Sequence, residues 1–166
     1  MAAFLDQEQA ELAGEIATLL GDRGETVAVA ESTTGGLISA ALLSVAGASR
    51  YYAGGGVVYT LKSRTALAGV PAEQYENYRG TTSDMLSSLA ESMRERLGAT
   101  WCIAESGLAG PTAGRNAPAG RTLVSVAGPK AASDTLETGS ADREANMSAF
   151  TTFALRSLRD TILSAG

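Results

Sequence analysis

The chain has 166 residues, 45% of them apolar and 19% charged, and its 18 acids against 13 bases give a formal net charge of −5. That length suits one domain with its own core, and the acidic balance excludes nucleic-acid binding by bulk charge. With no histidine and one cysteine, Cys102, it has no histidine-based nucleophile, His-ligated metal, intrachain disulfide or multi-thiolate zinc site. No segment approaches the ~20 unbroken apolar residues of a membrane span. The polar start, Met1 to Glu11, lacks the charged-then-apolar layout of a secretory signal. A cytoplasmic protein without a membrane partner is expected.

Leu12, Ile16, Leu19 and Leu20 recur at helical spacing after Asp6, with Gly21 and Gly24 as stop signals. Thr26–Ala30 is a short β-branched run, the pattern of a strand buried on both faces. A loop at Ser32–Gly36 leads into a small-residue helix over Leu37–Val45, closed by Gly47. Gly54–Gly56 reads as a flexible run before a strand over Val57–Thr60. A helix over Leu61–Ala68 follows, ended by Gly69 and Pro71. Met85, Leu86, Leu89, Met93 and Leu97 form a helical stripe capped by Thr82 or Ser83. Trp101–Ala104 is a second buried strand, followed by a Gly/Pro/Ala-rich loop over Gly107–Gly120 and an apolar strand over Thr122–Ala127. Leu136 and Thr138 suggest an edge strand. The last helix starts near Asp142 and carries Phe150, Phe153, Ala154, Leu158 and Ile162 on one side. Strands interleaved with helices predict an α/β fold. The expected form is a three-layer α/β/α sandwich with a mixed, mostly parallel sheet, as one domain over residues 1–166.

One internal echo points to chemistry. Val29-Ala30-Glu31-Ser32 runs into Thr33-Thr34-Gly35-Gly36, and Ile103-Ala104-Glu105-Ser106 runs into Gly107-Leu108-Ala109-Gly110. Ligands of open α/β sheets sit beyond the strands' carboxyl ends, so two such loops point to a shared pocket. Ser32, Thr34, Gly35 and Gly36 at a helix start suit an anion, or form a plain helix cap. No Gly-Lys-Ser/Thr follows, so this is not a Walker loop.

A serine nucleophile without histidine needs another base, commonly a desolvated lysine. Of the two lysines, Lys130 reads as a solvated loop residue, and Lys62 begins a helix near the pocket. Cys102, inside an apolar run, reads as core rather than a reactive thiol. Arg143 stands where the helix dipole disfavours a cation; it either meets an anionic ligand or pairs with Asp142. Tyr59, ending a strand, either enters the pocket or lies half-buried in the sheet.

Ala30-Glu31-Ser32-Thr33-Thr34-Gly35-Gly36, Gly55-Gly56-Val57-Val58-Tyr59 and Ser106-Gly107-Leu108-Ala109-Gly110-Pro111, in this order, resemble the C-terminal domain family of CinA. That family includes the PncC enzymes, nicotinamide-mononucleotide amidohydrolases. The resemblance implies an α/β/α sandwich that converts nicotinamide mononucleotide, or a related small amide, to the acid and ammonia without metal or cofactor. It also implies a small-molecule substrate bearing phosphate or carboxylate, and together with the small residues Ser39–Ala41 it suggests a homodimer.

Carried over position by position, the implied catalytic group is Ser32, Ser49, Tyr59 and Arg64, with either serine as nucleophile. For substrate binding the resemblance implies Arg143, and the two loops themselves add Thr34, Gly35, Gly36, Ser106 and Gly107, with Glu105 at the second strand's end as a new partner. All are expected to converge on one water-accessible hollow.

The departures bear on activity. Arg64 stands at the family's lysine position, and a guanidinium with a pKa above ~12 cannot act as a general base. Lys62 points ~200° around the helix from it. Thr33 replaces a cysteine, Leu61 an asparagine and Met147 a second arginine, and Gly80-Thr81-Thr82-Ser83 replaces Gly-Ala-Val-Ser. Amide hydrolysis then needs Glu31, Glu105 or Lys62 as base, or Arg64 as an oxyanion stabiliser in a different reaction. Otherwise the chain is an altered member that binds or converts another small anion. Arg64 and Glu105 are expected to face each other across the pocket.

Overall fold

The computed structural model describes residues 3–166. Its five strands are β1 (Val27–Glu31), β2 (Tyr52–Val57), β3 (Trp101–Leu108), β4 (Arg121–Ala127) and β5 (Ala132–Glu137). Its α-helices are α1 (Gln7–Arg23), α2 (Leu37–Leu43), α3 (Leu61–Ala66), α4 (Ser83–Leu97) and α5 (Arg143–Ser164). The sheet order is β2-β1-β3-β4-β5. β1 pairs parallel with β2 and β3, whereas β4 pairs antiparallel with both β3 and β5. All strands but β4 therefore run one way, and the mixed α/β/α sandwich is as expected.

Alternation along the strands divides the core. Val27, Val29, Trp101, Ile103, Val124 and Val126 pack towards α1, α2 and α5. Ala28, Ala30, Cys102 and Ala104 face α4 and the segment after β2. The period-2 rule continues past these apolar residues, so it also decides which face each polar group at the strand tips reaches.

Side-chain caps fix where four of the helices begin, α3 among them through Thr60. Asp6 accepts from the Gln9 N–H in a reciprocal capping box, and Thr82 and Asp142 accept from the N–H groups of Met85 and Ala145. Asp142 thus caps α5 instead of pairing with Arg143. Gly24, in the left-handed region, ends α1.

The glycine run is where the expected strand boundary fails. Gly54–Gly56 lies inside β2, and Tyr59 and Thr60 lie beyond its end, Thr60 capping α3. Gly55 pairs with Val29, and a Cβ built on it would lie 2.4 Å from the Val29 carbonyl oxygen. The glycines permit close strand approach, not flexibility. β3 likewise runs on through Leu108, because β4 pairs with it from Cys102↔Ala127 to Leu108↔Arg121. The edge strand β5 lies ahead of Thr138.

Gly55→Ala should lower the stability measured by urea unfolding by about 1–3 kcal/mol. Gly56→Ala, with nothing within 4 Å of the added carbon, should cost no more than about 0.5 kcal/mol.

Candidate functional site

The tips of β1 and β3 each carry a carboxylate with no exposed surface, Glu31 and Glu105. Each directs its side chain to the α2/α5 face of the sheet. Glu31 accepts from the N–H groups of Gly36, Ile38 and Ser39 at 2.9–3.1 Å and from the Thr34 hydroxyl at 2.7 Å. Glu105 accepts from the N–H groups of Ser32 and Thr34, both at 3.1 Å, and from the hydroxyls of Thr33, Thr34 and Thr122. Buried carboxylates persist when hydrogen bonds replace water, and the Thr34 hydroxyl spans both.

This bracing corrects three expectations. The N-terminus of α2 already holds an anion, the chain's own Glu31, and Gly35 N–H bonds the Ser32 carbonyl. The N–H groups of Thr34, Gly35 and Gly36 are therefore committed within the protein and do not cradle a ligand phosphate. Glu105 is a brace for the Ser32–Thr34 loop instead of a substrate contact. Neither carboxylate is free to be a base.

Arg64 lies on the opposite face. The residue is 2% exposed, and its guanidinium donates to the Val58 carbonyl (3.3 Å), the Thr81 hydroxyl (3.0 Å) and the Ser106 hydroxyl (2.8 Å). The guanidinium carbon lies 6.0 Å from the Tyr75 ring centroid. The expected Arg64–Glu105 pair does not form, because successive β3 residues point to opposite faces. Arg64 meets Ser106, not Glu105, and among the described residues no carboxylate lies within 4.0 Å of it. Burial pushes the Tyr75 hydroxyl above its ordinary pKa, the Arg64 charge opposing this.

Arginine only donates, so the Thr81 and Ser106 oxygens must accept from it and turn their own protons elsewhere. Tyr78, Thr81 and Ser106 form a hydroxyl chain with links of 2.9 and 3.2 Å. All three line a cavity of about 700 Å³ between the start of α4, the ends of β3 and β4, and residues 114–117. A cation thus stands behind a row of hydroxyl donors. That arrangement favours an anion or a developing oxyanion.

Ser106 and Gly107 are the two expected site residues lining this cavity. A Cβ on Gly107 would lie 2.8 Å from the Arg121 carbonyl oxygen. Ser32 is buried, and among the described residues its hydrogen bonds are made by its backbone, the N–H donating to Glu105 and the carbonyl accepting from Gly35, and not by its hydroxyl. Arg143 donates to the Gly110 carbonyl at 2.5 Å and to the Tyr59 hydroxyl at 3.4 Å. Tyr59 is 55% exposed, outside the sheet. Met147 lies over the left-handed Gly35.

Ser49 does not join the others. It is exposed in a 3-10 turn (Ala48–Arg50) ahead of β2, where the Tyr51 carbonyl meets the Val27 N–H at the start of β1. Ser32 lies past the other end of β1, about 16 Å away at ~3.3 Å per residue. The expected single hollow therefore does not form within one chain. Lys62 is exposed and, with Tyr75, lines a separate cavity of about 260 Å³. Cys102 is fully buried, which pushes its thiol pKa far up and leaves it inert.

Sequence reasoning missed Tyr78, Thr81, Arg79, Arg115 and Arg121 around the cavity. One signal was available: residues 106–133 contain no Asp or Glu in an otherwise acidic chain.

The family model of the CinA C-terminal domain matches residues 9–162. The chain belongs to the CinA C-terminal domain family. A CinA-like protein of Prochlorococcus marinus (strain MIT 9313) is 43% identical over 119 residues, covering 71% of this chain and 28% of that protein. A putative competence-damage inducible protein of Desulforamulus reducens is 39% identical over 114 residues, again covering 28% of the relative. This CinA domain therefore aligns with under a third of the length of either. The crystal structure of competence/damage inducible protein CihA from Agrobacterium tumefaciens superposes with a TM-score of 0.90 at 26% identity, covering 96% of this chain and 99% of that one. That of the competence damage-inducible protein A from Klebsiella pneumoniae gives 0.87 at 26% identity, covering 93% and 97%.

Glu105→Ala leaves the Ser32 and Thr34 N–H groups without their acceptor and should cost about 3 kcal/mol or more in urea unfolding. Glu105→Gln, which keeps one acceptor oxygen for both and an amide for the hydroxyls, should cost less than half as much.

Proposed function

We propose that this CinA-family domain binds a small anionic ligand of the pyridine-mononucleotide class against Ser106 and Thr81, with lysine-type amide hydrolysis lost or strongly reduced. The observation that carries the reading is Arg64, a buried guanidinium without a carboxylate that feeds two hydroxyls facing a cavity. It stands where the family resemblance puts the lysine base, and arginine cannot release its proton near neutral pH. No other base replaces it, since Glu31 and Glu105 are saturated and Lys62 points elsewhere. Arg143, held by Gly110 and Tyr59, is not among the residues that line this cavity.

A second reading has one observation in its favour. The Ser32 hydroxyl is not tied up in a hydrogen bond among the described residues and is free to attack, and the Arg64-fed hydroxyls are placed to stabilise an oxyanion. In that case the chain is a PncC-like amidohydrolase that converts nicotinamide mononucleotide to nicotinic acid mononucleotide and ammonia.

Ammonia release and calorimetric binding with nicotinamide mononucleotide separate the two. The wild type should bind the nucleotide while releasing little ammonia, and Arg64→Lys should raise the release at least tenfold. Rapid wild-type turnover that Ser32→Ala abolishes would overturn the proposal in favour of the amidohydrolase. Ser49→Ala should change neither measurement.

A further inference from the structure

The cavity beyond Ser106 is larger and more cationic than a mononucleotide phosphate requires. Arg79, Arg115 and Arg121 line it, and none of its lining residues is acidic, in a chain whose acids outnumber its bases 18 to 13. Arg121 and Leu108 face it because they are register partners across β3 and β4 on the α4 side. The Arg121 Nε is buried with no hydrogen-bond partner, and its one ion pair among the described residues is a long one, 3.8 Å to Glu137. Arg79 and Arg115 are exposed and make no ion pair among the described residues. The Asn116 side-chain amide donates to the Arg79 carbonyl at 3.1 Å, tying together the two segments that carry these cations. Tyr78, Met85 and Leu108 supply an apolar wall beside them.

Like charges gather at such density where a ligand anion answers them. A phosphate monoester brings about −1.5 to −2, which leaves part of the arginine triad uncompensated. A diphosphate adds a further acidic group and spans more than one guanidinium, a geometry that arginine's planar fork suits. The apolar wall then has a role only if the diphosphate carries a flat ring.

We propose that this arginine-lined cavity is a binding site for a nucleoside diphosphate. Its phosphates contact Arg79, Arg115 and Arg121, and its base packs on Tyr78, Met85 and Leu108. The site shares the Ser106–Thr81 wall with the mononucleotide site proposed above but rests on a separate set of cations.

Calorimetric titration of the full chain with ADP, adenosine and inorganic pyrophosphate tests this. ADP should bind at least tenfold more tightly than either fragment. Arg79→Glu and Arg115→Glu should each weaken ADP at least tenfold with an unchanged urea midpoint, since both side chains are exposed. No heat with ADP at millimolar concentration, ADP binding indifferent to both charge reversals, or pyrophosphate binding as tightly as ADP would each overturn the proposal. Nicotinamide mononucleotide titrated in parallel keeps the two readings apart. Its failure to bind a chain that still binds ADP would count against the mononucleotide site alone.

Discussion

Three ionisable side chains buried at the carboxyl ends of the central strands, on opposite faces of the sheet, organise everything above them. Glu31 and Glu105 point to the α2/α5 face and are answered by backbone N–H groups and threonine hydroxyls. Arg64 comes from the other face and is answered by a carbonyl and two hydroxyls. None of the three forms an ion pair among the described residues. The carboxylates hold the Ser32–Gly36 loop in place, and the N–H groups of Thr34, Gly35 and Gly36 are committed within the protein. The guanidinium is not neutralised, so its charge is relayed through Ser106 and Thr81 to the cavity. The two ends of the echo in the sequence thus serve different purposes: the first is a braced loop, the second a donor surface.

Replacing a lysine by arginine keeps the charge and removes the chemistry. A buried lysine can lose its proton and activate a serine, whereas arginine remains a cation and holds its hydrogen-bond partners as acceptors. A site rebuilt in this way is suited to binding anions and stabilising negative charge. The Ser32 hydroxyl is left unbonded among the described residues, and the carboxylate beside it, Glu105, is taken up by backbone N–H groups and threonine hydroxyls. The domain keeps the CinA scaffold while the residue that the resemblance makes its proton acceptor has become a fixed donor.

Most of the fold was legible because its signals are local. Asp6, Thr82 and Asp142 mark helix starts, and the runs at Thr26 and Trp101 read as buried strands. The errors came where neighbours decide. Gly54–Gly56 looked like a hinge, yet the close approach of Val29 makes it a strand. Glu105 looked like a partner for Arg64 because an added acid stands in a chain whose expected lysine is an arginine. Once β4 pairing extends β3 through Leu108, alternation sends Glu105 and Ser106 to opposite faces. Ser49 was assigned by motif alone, and a motif carries no information about which end of the sheet its turn occupies. The orientation of Lys62 away from Arg64 followed from helical geometry and agrees with its separate cavity. The arginine triad needed the fold, since Arg79 is distant in sequence from Arg115 and Arg121.

The central claim is that the charge of Arg64 is expressed through the hydroxyls of Ser106 and Thr81. A crystal structure of the wild-type chain with bound nicotinamide mononucleotide tests it most directly. The account predicts a phosphate or carbonyl oxygen of the nucleotide about 2.7–3.2 Å from the Ser106 or Thr81 hydroxyl, with Arg64 still behind them. A nucleotide seated on the N–H groups of Gly35 and Gly36, or Arg64 swung away to a carboxylate, would contradict it.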